Sequence, residues 1–306
     1  VPVEARDEAF RPVRPVSSRV SLHADMLLYD VTWHDGANVG MNPEQTIPPG
    51  GQYIYAWQAA LPAGAPAGEG LGPVLLQDMA DVRNHRHHGM IGALIVEPAD
   101  ATPYAVGAGD AAAAPGAAEA WHGARATVVA GGEPGAGAEQ FEEVVLLLQD
   151  GLRLYLNGNP HFPIPDAPPA AGEADVDAED QGQKGFNYRT EPVGPNTDMN
   201  GNPAPSRNWL ANPKPATPVF VVPQDRAVRL HLLGACDKPR NHSVTVHGVT
   251  WPEYRFLQAA SPRIASEPAI TSGTVRTFEF KPEHPGDHSY RSGVLKWAVS
   301  QGLWGI

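Results

Sequence analysis

The 306-residue chain is long enough to bury two cores of ordinary domain size. Its 32 Gly and 32 Pro, with only 18% charged residues, work against long helices and favour short strands joined by turns. With 34 acidic against 22 Lys and Arg side chains the formal charge is −12, which disfavours nucleic acid and anionic lipid as partners. A single cysteine, Cys236, excludes an internal disulfide and any thiolate-rich metal site. No apolar run approaches the roughly 18 residues of a membrane span. The chain starts at Val1 without a Met or a secretory signal, so a processed product or a piece of something longer is expected.

In chain order, "RVSLHADMLLYDVTW", "GQYIYAWQA", "GMIGALIVEP" and "FEEVVLLLQDGLRLYL" read as strands bounded by Gly, Pro and Asp turns. So do "TPVFVVP", "AVRLHLLGA", "HSVTVHGVTW" and "GTVRTFEFKP". Amphipathic helical periodicity is absent, and the fold class is all-β with two sandwich-like units. Residues 1–98 form the first, residues 99–140 an Ala/Gly/Pro-rich linker, and residues 141–306 the second, which carries a long irregular loop at 160–215. A loop of that length is often functional, an interface or mobile. Its acidic run 173–180 reads as a solvated loop, with a divalent cation as the alternative. "DMNGN" at 198–202 has alternating oxygen donors but lacks the Gly and distal Glu of a calcium loop.

Several phrases taken together resemble multicopper oxidases, a family built from cupredoxin domains. "SLHADM" resembles the family's Ser-Leu-His-x-His strand, and "IPPGGQYIYAWQA" the Pro-Gly turn and aromatic strand after it. "GMIGALIVEP" is similar to the strand closing that domain, "RNHSVTVHGVTW" to a later His-rich strand, and "GDHSYRSGVLKWAVSQGLWGI" to the final hairpin and loop. "LLLQDG", "GQKGFNYRTEP" and the closing phrase look nearest to large bacterial enzymes of the manganese-oxidising type. The resemblance implies two Greek-key β-sandwiches of cupredoxin type, and an extracellular or periplasmic place. It also implies that the first sandwich lacks its early strands, since only residues 1–20 precede the Ser-Leu-His phrase. A bare edge and an uncovered apolar face would then need a protein partner or a preceding segment.

The copper ligands implied by the family are mostly replaced. A blue-copper centre needs a Cys thiolate and two imidazoles. Here Arg291, Ser292 and Gly293 occupy the His-Cys-His positions, and Cys236 lies on an earlier loop, where it reads as a small, partly buried side chain. For a three-copper cluster, His23 matches, but Asp25 stands for its partner, and Gln77 and Met79 stand for another pair. His242 and His247 match, with Thr245 between them. His23, His242 and His247 are therefore the family-matched metal candidates, and each reads equally as a histidine hydrogen-bonded to backbone.

Outside the family positions, "RNHRHHGM" groups His85, His87 and His88, with His85 and His87 expected on one strand face. That group reads as a surface feature or as a site for zinc, copper or nickel. His34 reads as a turn residue, and His122, His161, His231, His284 and His288 are isolated. No phosphate loop, nucleophile elbow or zinc-protease spacing occurs.

Three functions follow. The chain is a structural portion or subunit of a larger copper-dependent oxidase, acting on Mn(II) or phenols by resemblance. Alternatively it is an oxidoreductase chain lending His ligands to an interfacial copper cluster. The third reading is a metal- or partner-binding module built on His85–His88.

Overall fold

Alternation of apolar and polar residues, with turns supplied by Gly and Pro, gives a chain of seventeen short strands and one four-residue α-helix among the described residues. This is a computed structural model. It describes residues 4–6, 12–15, 17–61, 63, 65, 69–82, 84–105, 124–131, 139–152, 183–189, 217–224, 226–237, 241–295, 299 and 302–306. No helix among them is long and apolar enough to cross a membrane. The chain divides into Val1–Val96 and Glu97–Ile306.

In the first unit β1 (Glu4–Arg6) and β2 (Pro12–Pro15) form an antiparallel ribbon. A separate antiparallel sheet has the order β3 (His23–Ala24), β4 (Gly72–Gln77), β5 (Ile91–Val96). The long strand expected over "RVSLHADMLLYDVTW" is not formed. His23–Ala24 pairs as a strand, with single bridges at Val20 and Leu28; Met26 turns with φ of 66°, and α1 (Val31–His34) follows. Asp30 accepts from the Thr32 N–H as N-cap, so local capping overrides the apolar run. "GQYIYAWQA" also stays out of the ladders, apart from one bridge between Leu28 and Gln58. Tyr53, Tyr55 and Trp57 still alternate inward as in a strand, their rings 4.8 and 5.8 Å apart in succession.

Apolar burial in this unit is thin. Its buried apolar side chains among the described residues are Ala24, Ala37, Val74 and Leu75. Leu28, Val31, Trp33, Met41 and Ile54 are exposed. Buried polar groups connect the elements instead. Asp78 accepts from Ser21 N at 2.7 Å and Asp81 N at 3.0 Å, and Asp81 accepts from Ser17 N at 3.1 Å.

The second unit is a two-sheet sandwich. Its strands are β6 (Thr102–Ala105), β7 (Arg125–Ala130), β8 (Glu139–Leu152), β9 (Gln183–Phe186), β10 (Ala227–Gly234) and β11 (His242–Val246). They continue with β12 (Trp251–Pro252), β13 (Arg263–Ile264), β14 (Ser266–Ile270), β15 (Val275–Phe280), β16 (Tyr290–Ser292) and β17 (Trp304–Gly305). One sheet runs β15-β10-β8-β7-β6, with β9 on the far end of β8; the other runs β14-β11-β16-β17. β8 and β10 are parallel neighbours, and successive strands change sheet between β10 and β11 and again between β14 and β15.

Two expectations change here. The stretch 99–140 is not only a connector: β6 and β7 are consecutive strands of the large sheet, because "RATVVA" is a β-branched run that pairs along β8. Conversely, "TPVFVVP" forms no strand. Prolines at 218 and 223 lack the N–H a ladder needs, and the segment is held by Phe220 N to Ile306 O at 2.9 Å.

Period-two side chains from both sheets meet in the core. Val144, Leu146 and Leu148 join Val228, Leu230 and Leu232 on one side, opposed by Val244, Val246, Ile270 and Tyr290. Trp251, fully buried, stacks on Phe278 at 4.3 Å. The chain end closes this core: the Tyr290 hydroxyl donates to Pro218 O at 2.7 Å, and β17 lies against β16. A Cβ on Gly305 would stand 2.1 Å from the Tyr290 oxygen and 2.7 Å from Pro218 O. Gly305→Ala should therefore cost about 1–3 kcal/mol by overpacking, read as a lower urea midpoint at unchanged slope. A midpoint equal to that of the unaltered chain would show that the Tyr290 ring yields freely.

Candidate functional site

The inward face of β8 carries Val144, Leu146 and Leu148, and the same period brings Asp150 into the core at no exposure. β11 starts with His242, buried and inward like Val244 and Val246. Its Nε2 lies 3.1 Å from Asp150 Oδ2, and its Nδ1 lies 3.5 Å from the Ser292 hydroxyl on β16. The other Asp150 oxygen, Oδ1, accepts from the Asp237 N–H at 2.7 Å. Cys236, just after β10, reaches the same place: donor atoms of Asp150, Cys236 and His242 lie within 4.8 Å of one another. Its thiol also donates to Leu148 O at 3.7 Å. Lys184 of β9, buried, falls opposite the bulge at Asp150–Gly151 in the ladder.

Ser292 thus takes the place beside His242 that the resemblance gives to the copper thiolate, while Cys236 approaches the histidine from another loop. Sequence reading set Cys236 aside as lying on the wrong side; folding brings it to His242. Ser292, His242 and Asp150 follow the order of a hydrolytic triad, but Ser292 and Asp150 have no exposure, so no substrate reaches the hydroxyl. The geometry suits a closed site.

The other family-matched histidines stand in different surroundings. His247 follows β11, is exposed, and lends its backbone carbonyl to His288 Nδ1 at 2.9 Å. In the first unit His23 pairs with Gln77 across β3 and β4, so the two family-matched positions are neighbours, but the second is an amide. His23 Nδ1 donates to Asp35 O at 2.8 Å, and Nε2 faces Asp25 Oδ1 at 3.2 Å. With an acceptor at each nitrogen the imidazolium is favoured, and its pKa is raised chiefly by Asp25, against burial.

The His85–His88 group is corrected by the structure. These residues form a 3₁₀ turn, so His85 and His87 do not share a strand face. His85 is buried between Asp78 Oδ2 at 2.7 Å and Ser17 O at 2.8 Å, which engage both ring nitrogens. Burial alone lowers its pKa, but the carbonyl and carboxylate outweigh it and hold it above the ordinary value. His87 is half-buried and His88 exposed.

A second cluster, which the sequence left unread, sits on the outward face of the large sheet. His231 of β10 donates from Nε2 to Glu143 Oε1 at 2.7 Å and accepts the Thr277 hydroxyl at Nδ1 over 2.8 Å. Burial lowers the His231 pKa to about 3, so this imidazole is neutral. Glu97, beside Glu143, has its pKa raised to about 7, first by burial and then by the neighbouring carboxylate; Arg229 acts in the opposite sense. Glu97 Oε2 is buried without a hydrogen bond, with Arg229 Nη1 3.7 Å away. Arg229 and Arg255 oppose a cation here.

Among the described residues, these two clusters are the places where three candidate ligands converge, and each holds one imidazole. Neither donor set fits a blue-copper centre, which requires two imidazoles and a thiolate, nor a cluster built from histidine pairs. The run 173–180, "DMNGN" at 198–202, His122 and His161 lie outside the described residues.

No family model matches the chain, and no curated protein matches it. A solved multicopper oxidase is similar at 17% identity and a TM-score of 0.48, over 95% of this chain and 70% of that one. A blue copper oxidase from Nitrosomonas europaea is 16% identical, with a TM-score of 0.47 over 95% and 68%. A copper nitrite reductase from the same organism is 15% identical, with a TM-score of 0.45 over 94% and 74%.

Two pH effects follow. A raised His85 pKa contributes stability that is complete below about pH 6.5 and lost as pH rises through the folded value. Asp78→Asn should flatten the fall in melting temperature above that pH, and an unchanged profile would mean that His85 does not titrate in this window. Glu97 binds its proton more tightly when folded, so its contribution weakens from about pH 4.5 to about 7. Glu97→Gln should be the more stable form at pH 8 by roughly 1 kcal/mol after solvent screening, and should lose that advantage at pH 5. An equal difference at both values would assign the effect to packing.

Proposed function

We propose that this chain is a multicopper-oxidase-like cupredoxin pair, acting as a structural portion of a larger copper-dependent oxidase. In this role it holds neighbouring parts in place and does not itself reduce dioxygen. The single observation that carries the reading is what stands around each family-matched histidine. His23 is occupied by two aspartate residues, His242 is buried with one carboxylate and one thiol, and His247 is exposed. Among the described residues, no group of convergent donors holds the several imidazoles that the family's chemistry needs.

The state of the first unit supports a partner or an additional segment. With Ala24, Ala37, Val74 and Leu75 as its buried apolar side chains among the described residues, that unit has little core to stabilise it. The exposed Leu28, Val31 and Ile54 offer apolar surface. Mn(II) or a phenol as substrate of the assembly rests on the sequence resemblance. So does an extracellular or periplasmic setting.

The chain loaded with Cu(II) and desalted should consume no more dioxygen than a copper blank, with a phenol or Mn(II) as reductant. Saturable consumption by the chain alone would overturn the structural role. The exposed imidazole of His247 favours one alternative, a ligand lent to an interfacial copper cluster. In the whole assembly, His247→Ala should leave oxidase activity unchanged; a loss with the fold intact would establish that alternative instead.

A further inference from the structure

The trio Asp150, Cys236 and His242 goes beyond that structural reading. We propose that it is a closed binding site for a borderline divalent ion of the zinc class, built between the two sheets of the second unit.

The donor set selects the ion. One thiolate, one imidazole and one carboxylate suit zinc or cobalt, whereas calcium and magnesium seek oxygen alone. Donors bound to one zinc stand roughly 3.3–3.8 Å apart, given bond lengths near 2.0–2.3 Å. The trio already lies within 4.8 Å, so small side-chain rotations close it.

The groups around the trio also orient it. Asp150 Oδ1 is held by the Asp237 N–H, which leaves Oδ2 pointing at His242. On the far side of the imidazole, the Ser292 hydroxyl meets Nδ1. Such outer hydrogen bonds fix the ring and carboxylate of metal ligands.

Charge favours occupation. A carboxylate and a thiolate together neutralise a divalent ion, so the filled site adds no net charge to the core. The thiolate also favours a thiolate-binding ion over oxygen-seeking ones. All three ligands are buried, so the role is to brace the sheets and not to turn over a substrate. Binding would release the thiol proton to solvent and form metal bonds to sulfur, nitrogen and oxygen without redox change.

The full chain, dialysed against zinc and then against metal-free buffer, should retain about one equivalent by elemental analysis. Co(II) in its place should give a thiolate-to-metal charge-transfer band, attributable to Cys236 because the chain has one cysteine. Cys236→Ser should abolish the band and weaken zinc binding by about 100-fold or more. Ser292→Ala should weaken it by about 10-fold through the loosened ring. No retained zinc, or cobalt bound without the sulfur band, would overturn the site. Should Cys236→Ser fail to fold, the cobalt spectrum of the unaltered chain and the Ser292→Ala affinity still decide. Dioxygen consumption is a separate measurement, so failure of the structural role and failure of this site are distinguishable.

Discussion

The second unit depends on apolar contact between two sheets whose strands are not neighbours in sequence. Trp251 and Phe278 stack at its centre, and Leu146, Leu232 and Val244 close around them without exposure. Inward alternation on β8, β10 and β11 makes this core, and the same alternation carries Asp150 and His242 into it. A polar residue on an inward position must find a partner or suffer the cost of an unsatisfied group. The Asp150–His242 contact, with Ser292 and Asp237 around it, meets that requirement.

The first unit solves the same problem with other means. Its apolar interior is small, and Asp78, Asp81 and His85 act as a hydrogen-bonded centre that joins Ser17, Ser21 and the 3₁₀ turn. Directional bonds of this kind fix geometry well but contribute little net free energy each, typically about 1 kcal/mol. A unit held in this way while exposing Leu28, Val31 and Ile54 is a natural candidate for completion by another surface.

The sequence resemblance puts a copper ligand where Ser292 stands, in a region whose shape is set by other contacts. Ser292 replaces the expected thiolate yet keeps the place against His242, and Gly305 still lets the chain pass the Tyr290 ring. Shape is set by backbone clearance and buried volume, ligation by one or two atoms, and substitution can remove the second without disturbing the first. The buried thiol of Cys236 then gives the same region a different donor set.

By itself the sequence determined the all-β class and the strands β8, β10, β11, β12 and β15, because period-two patterning is a local property. It misread the stretch around Val31, where an Asp cap won over apolar character, and 99–140, where a short β-branched run was outweighed by surrounding Ala and Gly. It also read His85 and His87 as one face of a strand that is a 3₁₀ turn. Asp150 could have been noticed as a carboxylate continuing the inward series Val144, Leu146, Leu148. Only the tertiary structure decided that Cys236 meets His242 and that Glu97 meets Glu143. Those contacts join side chains from separate strands and loops, and neither periodicity nor spacing along one strand encodes which of them will face each other.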